Sequence, residues 1–141
     1  MSYEKILKKL QNLPPSERQL AEGKYVDDNG KCGCAIGKAL PKRLRRQLLK
    51  CKTANGSGLS HIFNRYDTNR EARKTKKLIA AINATLHFLG LSDPESNDLQ
   101  ANNDGCLRHA SNRPKDKRRR YKKVIAWLKK SIREESIRVG Q

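Results

Sequence analysis

The hydrophobic positions of this chain recur at helical spacing over much of its length. Tyr3, Ile6, Leu7, Leu10 and Leu13 fall three or four apart and predict a first helix over 3–13. Ser2 is its expected N-cap, and Pro14-Pro15 stops it. Residues 16–22 read as a second, short helix that ends at Gly23 as its C′ residue. Asn29-Gly30 then marks a turn, because both residue types tolerate positive φ. A short β-hairpin near residues 24–34 is expected around it, although a loop fits such short arms equally well. Ile36, Leu40, Leu44 and Leu48 lie four apart, with Leu49 widening the stripe and Pro41 breaking or kinking it. Residues 53–58 have the composition of a loop, and 60–66 suit one or two helical turns.

Thr68-x-x-Glu71 reads as a capping box for a helix over 69–89. Its apolar stripe is Ala72, Leu78, Ile79, Ile82, Leu86 and Leu89, closed by Gly90. Residues 91–112 are rich in Ser, Asn, Asp and Gly and read as mostly loop, with a short turn at 98–100. Pro114 suits the first turn of a last helix capped by Ser111 or Asn112. Tyr121, Val124, Ile125, Leu128 and Ile132 form its buried stripe, with Trp127 off the stripe's centre. The expected fold is mainly α: one compact domain over 1–141, with four or five helices and the short hairpin.

Charge adds the functional dimension. The 141 residues carry 32 Lys and Arg against 14 Asp and Glu, a formal net charge of +18. The length suits one core. No apolar run approaches the roughly 18 residues of a membrane span, and no secretory signal is visible. A membrane partner is therefore not expected, and a reducing, cytoplasmic setting is. The cations are clustered. Lys38, Lys42, Arg43, Arg45, Arg46, Lys50 and Lys52 form one group without an acid. Arg113, Lys115, Lys117, Arg118, Arg119, Arg120, Lys122 and Lys123 form another, interrupted only by Asp116. Arg70, Arg73, Lys74, Lys76 and Lys77 form a third beside Glu71.

Such density destabilises a fold through self-repulsion, so an anionic partner is expected. Nucleic-acid phosphates are the commonest, and neutralising them releases counterions. The candidate nucleic-acid-binding residues are Lys38, Lys42, Arg43, Arg45, Arg46 and Lys50 with Arg113, Lys115, Arg118, Arg119, Arg120, Lys122 and Lys123. The two groups would share one groove if their helices are neighbours. The plainer alternative is a set of solvated helix faces. There is no ribonucleoprotein motif, zinc-finger spacing or helix-turn-helix, and aromatics make up 5% of the chain. Backbone-directed contact with RNA, DNA or a nucleoprotein complex is the expectation, with no preference between RNA and DNA.

The sulfur chemistry leaves alternatives open. Cys32-x-Cys34 and Cys106-x-x-His109 supply four soft ligands of the kind that hold structural zinc, and buried free thiols are the bland alternative. Cys34 ahead of a helix could be a nucleophile, with His109 as base and Asn103 or Asp104 as orienter. A third arrangement is a pocket of Cys34, Asn103, Asp104 and Arg108 that sequesters a small anionic nucleotide. No phosphate-binding glycine loop, metalloprotease helix or nucleophile elbow is present. A non-enzymatic binding protein is the leading expectation.

Glu22-Gly23-Lys24-Tyr25, Asn29-Gly30-Lys31 and Cys34-Ala35-Ile36-Gly37-Lys38-Ala39-Leu40, followed by Asn103-Asp104, Val124 and Leu128, resemble a small family of uncharacterised actinobacterial and phage proteins. The similarity covers scattered positions between residues 16 and 130. Lys24 stands where that family usually has Trp, and Lys38 interrupts its Gly-Ala-Leu. The resemblance implies a compact mainly α domain and a phage or mobile-element setting in the host cytoplasm. It also implies that Cys34, Gly37, Asn103 and Asp104 lie together. It carries no activity, and in that setting a basic binder would redirect host machinery or blunt a defence system.

Overall fold

A computed structural model describes residues 2–27, 33–56, 58–59, 69–107 and 112–139. These residues form seven α-helices, one turn of 3-10 helix at Pro15–Glu17 and no strand. The helices are α1 (Glu4–Gln11), α2 (Ala35–Ala39), α3 (Lys42–Leu49), α4 (Lys52–Asn55), α5 (Arg70–Phe88), α6 (Asp93–Gly105) and α7 (Pro114–Val139). The mainly α expectation holds, with more helices than the periodicity gave. No helix among the described residues is long and apolar enough to cross a membrane.

Several local expectations change. Tyr3, not Ser2, caps α1, and the Ser2 backbone N–H donates to Glu135 Oε2 instead (3.4 Å). The short second helix reduces to the 3-10 turn, after which Gly23 takes a positive φ of 82°. The turn of the expected hairpin lies outside the described residues. Its flanks run side by side without forming a strand: Ala21 N–H donates to the Gly33 carbonyl (2.9 Å) and Cys34 N–H to the Lys24 carbonyl (3.1 Å). Residues 52–55 form α4 rather than loop. The α5 cap is Asn69, whose side chain accepts from Ala72 N–H (2.7 Å); Thr68 and the expected turns at 60–66 lie outside the described residues.

The largest correction is α6, which occupies the stretch read as loop. It buries little apolar surface, only Leu99 beside the polar Ser96 and Asn103. Its start is nevertheless specified: the Ser92 hydroxyl accepts from Glu95 N–H while the Glu95 carboxylate accepts from Ser92 N–H, with proline in the first turn.

The core is built from α1, α2, α5 and α7, through Ile6, Leu10, Ile36, Ile82, Leu86, Val124 and Leu128. α6 and α7 run in opposite directions, and α5 leads into α6 through a short turn. At one end, the last turn of α5 meets the first turn of α6 through His87 Nε2 and Asp93 Oδ1 (2.6 Å). At the same end Tyr3 OH donates to the Glu95 carbonyl (3.1 Å) and its ring meets Trp127 of α7 edge-on, with centroids 5.2 Å apart. At the other end Asn103, near the end of α6, donates to the Ala21 carbonyl (3.0 Å), and Arg120, near the start of α7, donates to the Leu20 carbonyl (2.7 Å). The last turn of α6 and the first half of α7 therefore share one end of the bundle, and the first half of α5 is tied to that end through Cys51, which contacts Glu71 and Thr75, and through Asn55 of α4, which holds Val26.

Candidate nucleic-acid interface

That shared end carries the cations. On α5, Arg70, Arg73, Lys74, Lys76 and Lys77 are all exposed, because the helix is buried only along Thr75, Leu78, Ile79, Ile82 and Leu86. On α7, Arg113, Lys115, Arg118, Arg119, Lys122 and Lys123 are exposed around the buried Tyr121 and Val124. Asp116 lies within the second group, 3.7 Å from Arg113 and 3.8 Å from Arg119, and offsets part of its charge. Cations near a helix N-terminus oppose the macrodipole. The basic halves of both helices are their N-terminal halves, so these residues do not serve helix stability.

α3 extends the surface beside α5. It packs against α4 and α5, and Lys42, Arg43, Arg46 and Lys50 stay exposed around buried Leu44 and Leu48. The Cys51 thiol, just past α3, donates to Glu71 Oε1 (3.3 Å) and lies 3.5 Å from Thr75 Oγ1, which ties α3 to the basic half of α5. α7 packs instead against α1 and α6. The sequence grouping paired α3 with α7; in the bundle the neighbour of α3 is α5, and α6 packs against both α5 and α7.

Three expected contact residues are placed differently. Lys38 is buried, because the whole of α2 is enclosed. Arg45 is half-buried, and its Nε is shielded from solvent. Arg120 is 0% exposed. Its guanidinium donates to the Leu20 carbonyl, lies 3.5 Å from Asn112 Oδ1 and pairs with Glu22 Oε2 at 3.8 Å. A fully buried charge needs such partners. Arg120 thus fastens residues 20–22 to α7 instead of facing a phosphate. A signal existed: Arg120, Val124 and Leu128 lie four apart on one stripe.

The Cys34 cluster does assemble. Cys34 caps α2, its Sγ accepting from Gly37 N–H (3.4 Å), and Asn103 Oδ1 accepts from Ala35 N–H (2.9 Å). Asn103 Nδ2 also reaches Asp104 Oδ1 (3.0 Å). The cluster satisfies the free N–H groups that a helix start leaves. Gly33 and Gly37 are required by close approach: a Cβ on either would lie 1.7 or 1.6 Å from the Tyr25 carbonyl oxygen. Asn55 clamps that segment, accepting from Val26 N–H (2.9 Å) and donating to its carbonyl (2.6 Å). Burial pushes the Cys34 thiol up to about 12, the opposite of an activated nucleophile. The Cys106 thiol, raised by burial too, donates to the Asn103 carbonyl (3.6 Å).

Beside this cluster lies a cavity of about 150 Å³ lined by Lys24, Tyr25, Cys34, Asn55, Gln100 and Asp104, with glycine backbone. Arg108, expected in that pocket, lies outside the described residues, as do the expected zinc ligands Cys32 and His109. Among the described residues no cluster of three His, Cys, Asp or Glu side chains is placed to hold a metal ion. No protein-family model, curated protein or solved structure matches this chain.

Proposed function

We propose that this chain is a non-enzymatic nucleic-acid-binding protein that docks through the end of the bundle where α5 and α7 begin. One observation carries the reading: two exposed cation rows, from helices far apart in sequence, share that end against the sense of their helix dipoles. Across the described residues of 33–91, Glu71 is the one carboxylate, and it accepts from Cys51. The contact is with phosphate backbones rather than base edges, as spaced Lys and Arg side chains provide. A cytoplasmic setting, the phage or mobile-element origin implied by the resemblance, and action on host machinery or defence belong to the same proposal.

The cavity beside Cys34 favours this reading over nucleotide capture. Its 150 Å³ is below the roughly 300 Å³ at which ligand pockets begin, and the Asp104 carboxylate on its wall repels phosphate. The protonated state of Cys34 likewise speaks against thiolate catalysis.

The test is affinity for mixed-sequence DNA and RNA at two salt concentrations. Contact with about six phosphates predicts a loss of roughly a thousandfold between about 50 and 200 mM salt. No binding at the lower concentration overturns the reading.

A further inference from the structure

Resting on the reading above, we infer that Arg45 anchors a phosphate-binding site on α3, at the edge of the basic surface that α3 and α5 build, and that it acts through the shape of its guanidinium as well as its charge. α3, α4 and α5 pack on one another in all three pairings. The Cys51 thiol meets Glu71 Oε1 at 3.3 Å and Thr75 Oγ1 at 3.5 Å. Its chain neighbours Lys50 and Lys52 therefore lie beside the turn of α5 that carries Arg70 and Lys74, and all four are exposed. Lys42, Arg43 and Arg46 continue the exposed charge along α3.

Arg45 differs from these neighbours. It follows the buried Leu44 and lies one turn before the buried Leu48, so it sits at the edge of the apolar stripe of α3 and is half-buried. Its Nε is shielded from solvent and donates to no acceptor. Among the described residues, no oxygen accepts from its terminal nitrogens either. Arg120 shows the contrast: its burial is matched by the Leu20 carbonyl and the Glu22 carboxylate. A guanidinium carries only donors, held in a rigid fork. Keeping that fork partly out of water without an internal acceptor costs free energy. A phosphate that takes two parallel N–H bonds from the fork recovers it. Burial of the stem also fixes the side chain beforehand, whereas the exposed cations lose rotamer freedom on contact. The surrounding exposed cations supply the salt-sensitive attraction to a phosphate polymer, and Arg45 supplies an oriented bond to one of its phosphates.

The test keeps the charge and changes the shape. Arg45→Lys, Arg43→Lys and Arg46→Lys are compared with the parent for binding to mixed-sequence DNA and RNA, at about 150 mM salt. A lysine ammonium is a point charge without the fork. Arg45→Lys is expected to lose about fivefold more affinity than either of the other two, with a salt slope equal to that of the parent because the charge is kept. A loss no larger than that of Arg43→Lys or Arg46→Lys overturns the inference and leaves the nucleic-acid reading standing. If the parent binds neither polymer at low salt, the nucleic-acid reading itself falls. A second measurement uses the unsubstituted protein, so that the inference does not depend on a variant folding. In the NMR spectrum, the Arg45 Nε–H signal is expected to shift when the tighter-binding polymer is added; a signal that stays in place at saturation overturns the inference.

Discussion

The two ends of the α5–α6–α7 bundle use the same helices in opposite ways. At the end where α5 and α7 begin, cations face outward while the inside is braced by neutral and paired polar groups: Asn55, Asn103 and Arg120 each bond to main-chain carbonyls or amides. At the far end a groove of about 520 Å³ is lined by Tyr3, Trp127 and the carboxylates Glu95, Asp98, Glu134 and Glu135, together with Arg138. There charge is mixed, as in the Lys130–Glu134 pair at 4.0 Å, and the Ser2 amide donates to Glu135. A net charge of +18 therefore conceals a polarised molecule. Under the proposed function, a polyanion would meet its strongest attraction at the basic end.

The comparison can be broken most severely from inside the basic end. Gly37→Ala places a methyl 1.6 Å from the Tyr25 carbonyl oxygen, and a loss of at least about 4 kcal/mol in urea unfolding is expected from such overlap with main chain. Asn103→Leu leaves the Ala35 amide and Ala21 carbonyl unpaired, and Arg120→Met leaves Glu22 without its cation. Each is expected to lose about 3 kcal/mol in the same measurement. A loss below about 1 kcal/mol for both would show that the basic end does not depend on these braces.

Surface changes sharpen the contrast instead. Combining Arg70→Gln, Arg73→Gln and Lys77→Gln on α5 with Lys115→Gln, Arg118→Gln and Lys122→Gln on α7 is expected to lower nucleic-acid affinity by about a hundredfold while stability in urea unfolding moves by less than about 0.5 kcal/mol, because exposed charges add little to stability. At the far end, Glu95 gives a pH signature. Burial opposes its ionisation, yet hydrogen bonds from Ser2 and Ser92 outweigh burial and hold the carboxyl below its ordinary range. Its folded pKa is depressed, so its contribution is complete above the unfolded value near 4.3 and is lost as pH falls through the folded value. Glu95→Gln is expected to flatten that acid limb of the unfolding curve; an unchanged limb contradicts the assignment. The smallest effect belongs to Glu134→Gln/Glu135→Gln, which should raise nucleic-acid affinity by no more than about twofold, since the groove lies beyond a Debye length of roughly 8 Å from the basic rows.

The helices with a continuous apolar stripe, α1, α5 and α7, were legible in the sequence because periodicity reports burial directly. α6 was not, since its buried face offers Leu99 among Ser96 and Asn103; the Ser92-Asp93-Pro94-Glu95 cap was the signal to read. The clustering of Cys34, Gly37 and Asn103 depends on residues 68 apart meeting, which no local pattern dictates. Lys38 and Arg120 sit in runs of cations and read as nucleic-acid contacts for that reason. Their burial follows from the enclosure of α2 and from the docking of residues 20–22 on α7. The α5 cluster was visible as charge, but its position beside α3 depends on the Cys51 contacts with Glu71 and Thr75, which no local pattern dictates.

Lysine footprinting by acetylation and mass spectrometry, with and without a saturating DNA duplex, tests end-on docking most directly. The account predicts protection of Lys74, Lys77, Lys115 and Lys122, while Lys5, Lys129 and Lys130 stay reactive. Uniform protection, or protection strongest at Lys129 and Lys130, would contradict it.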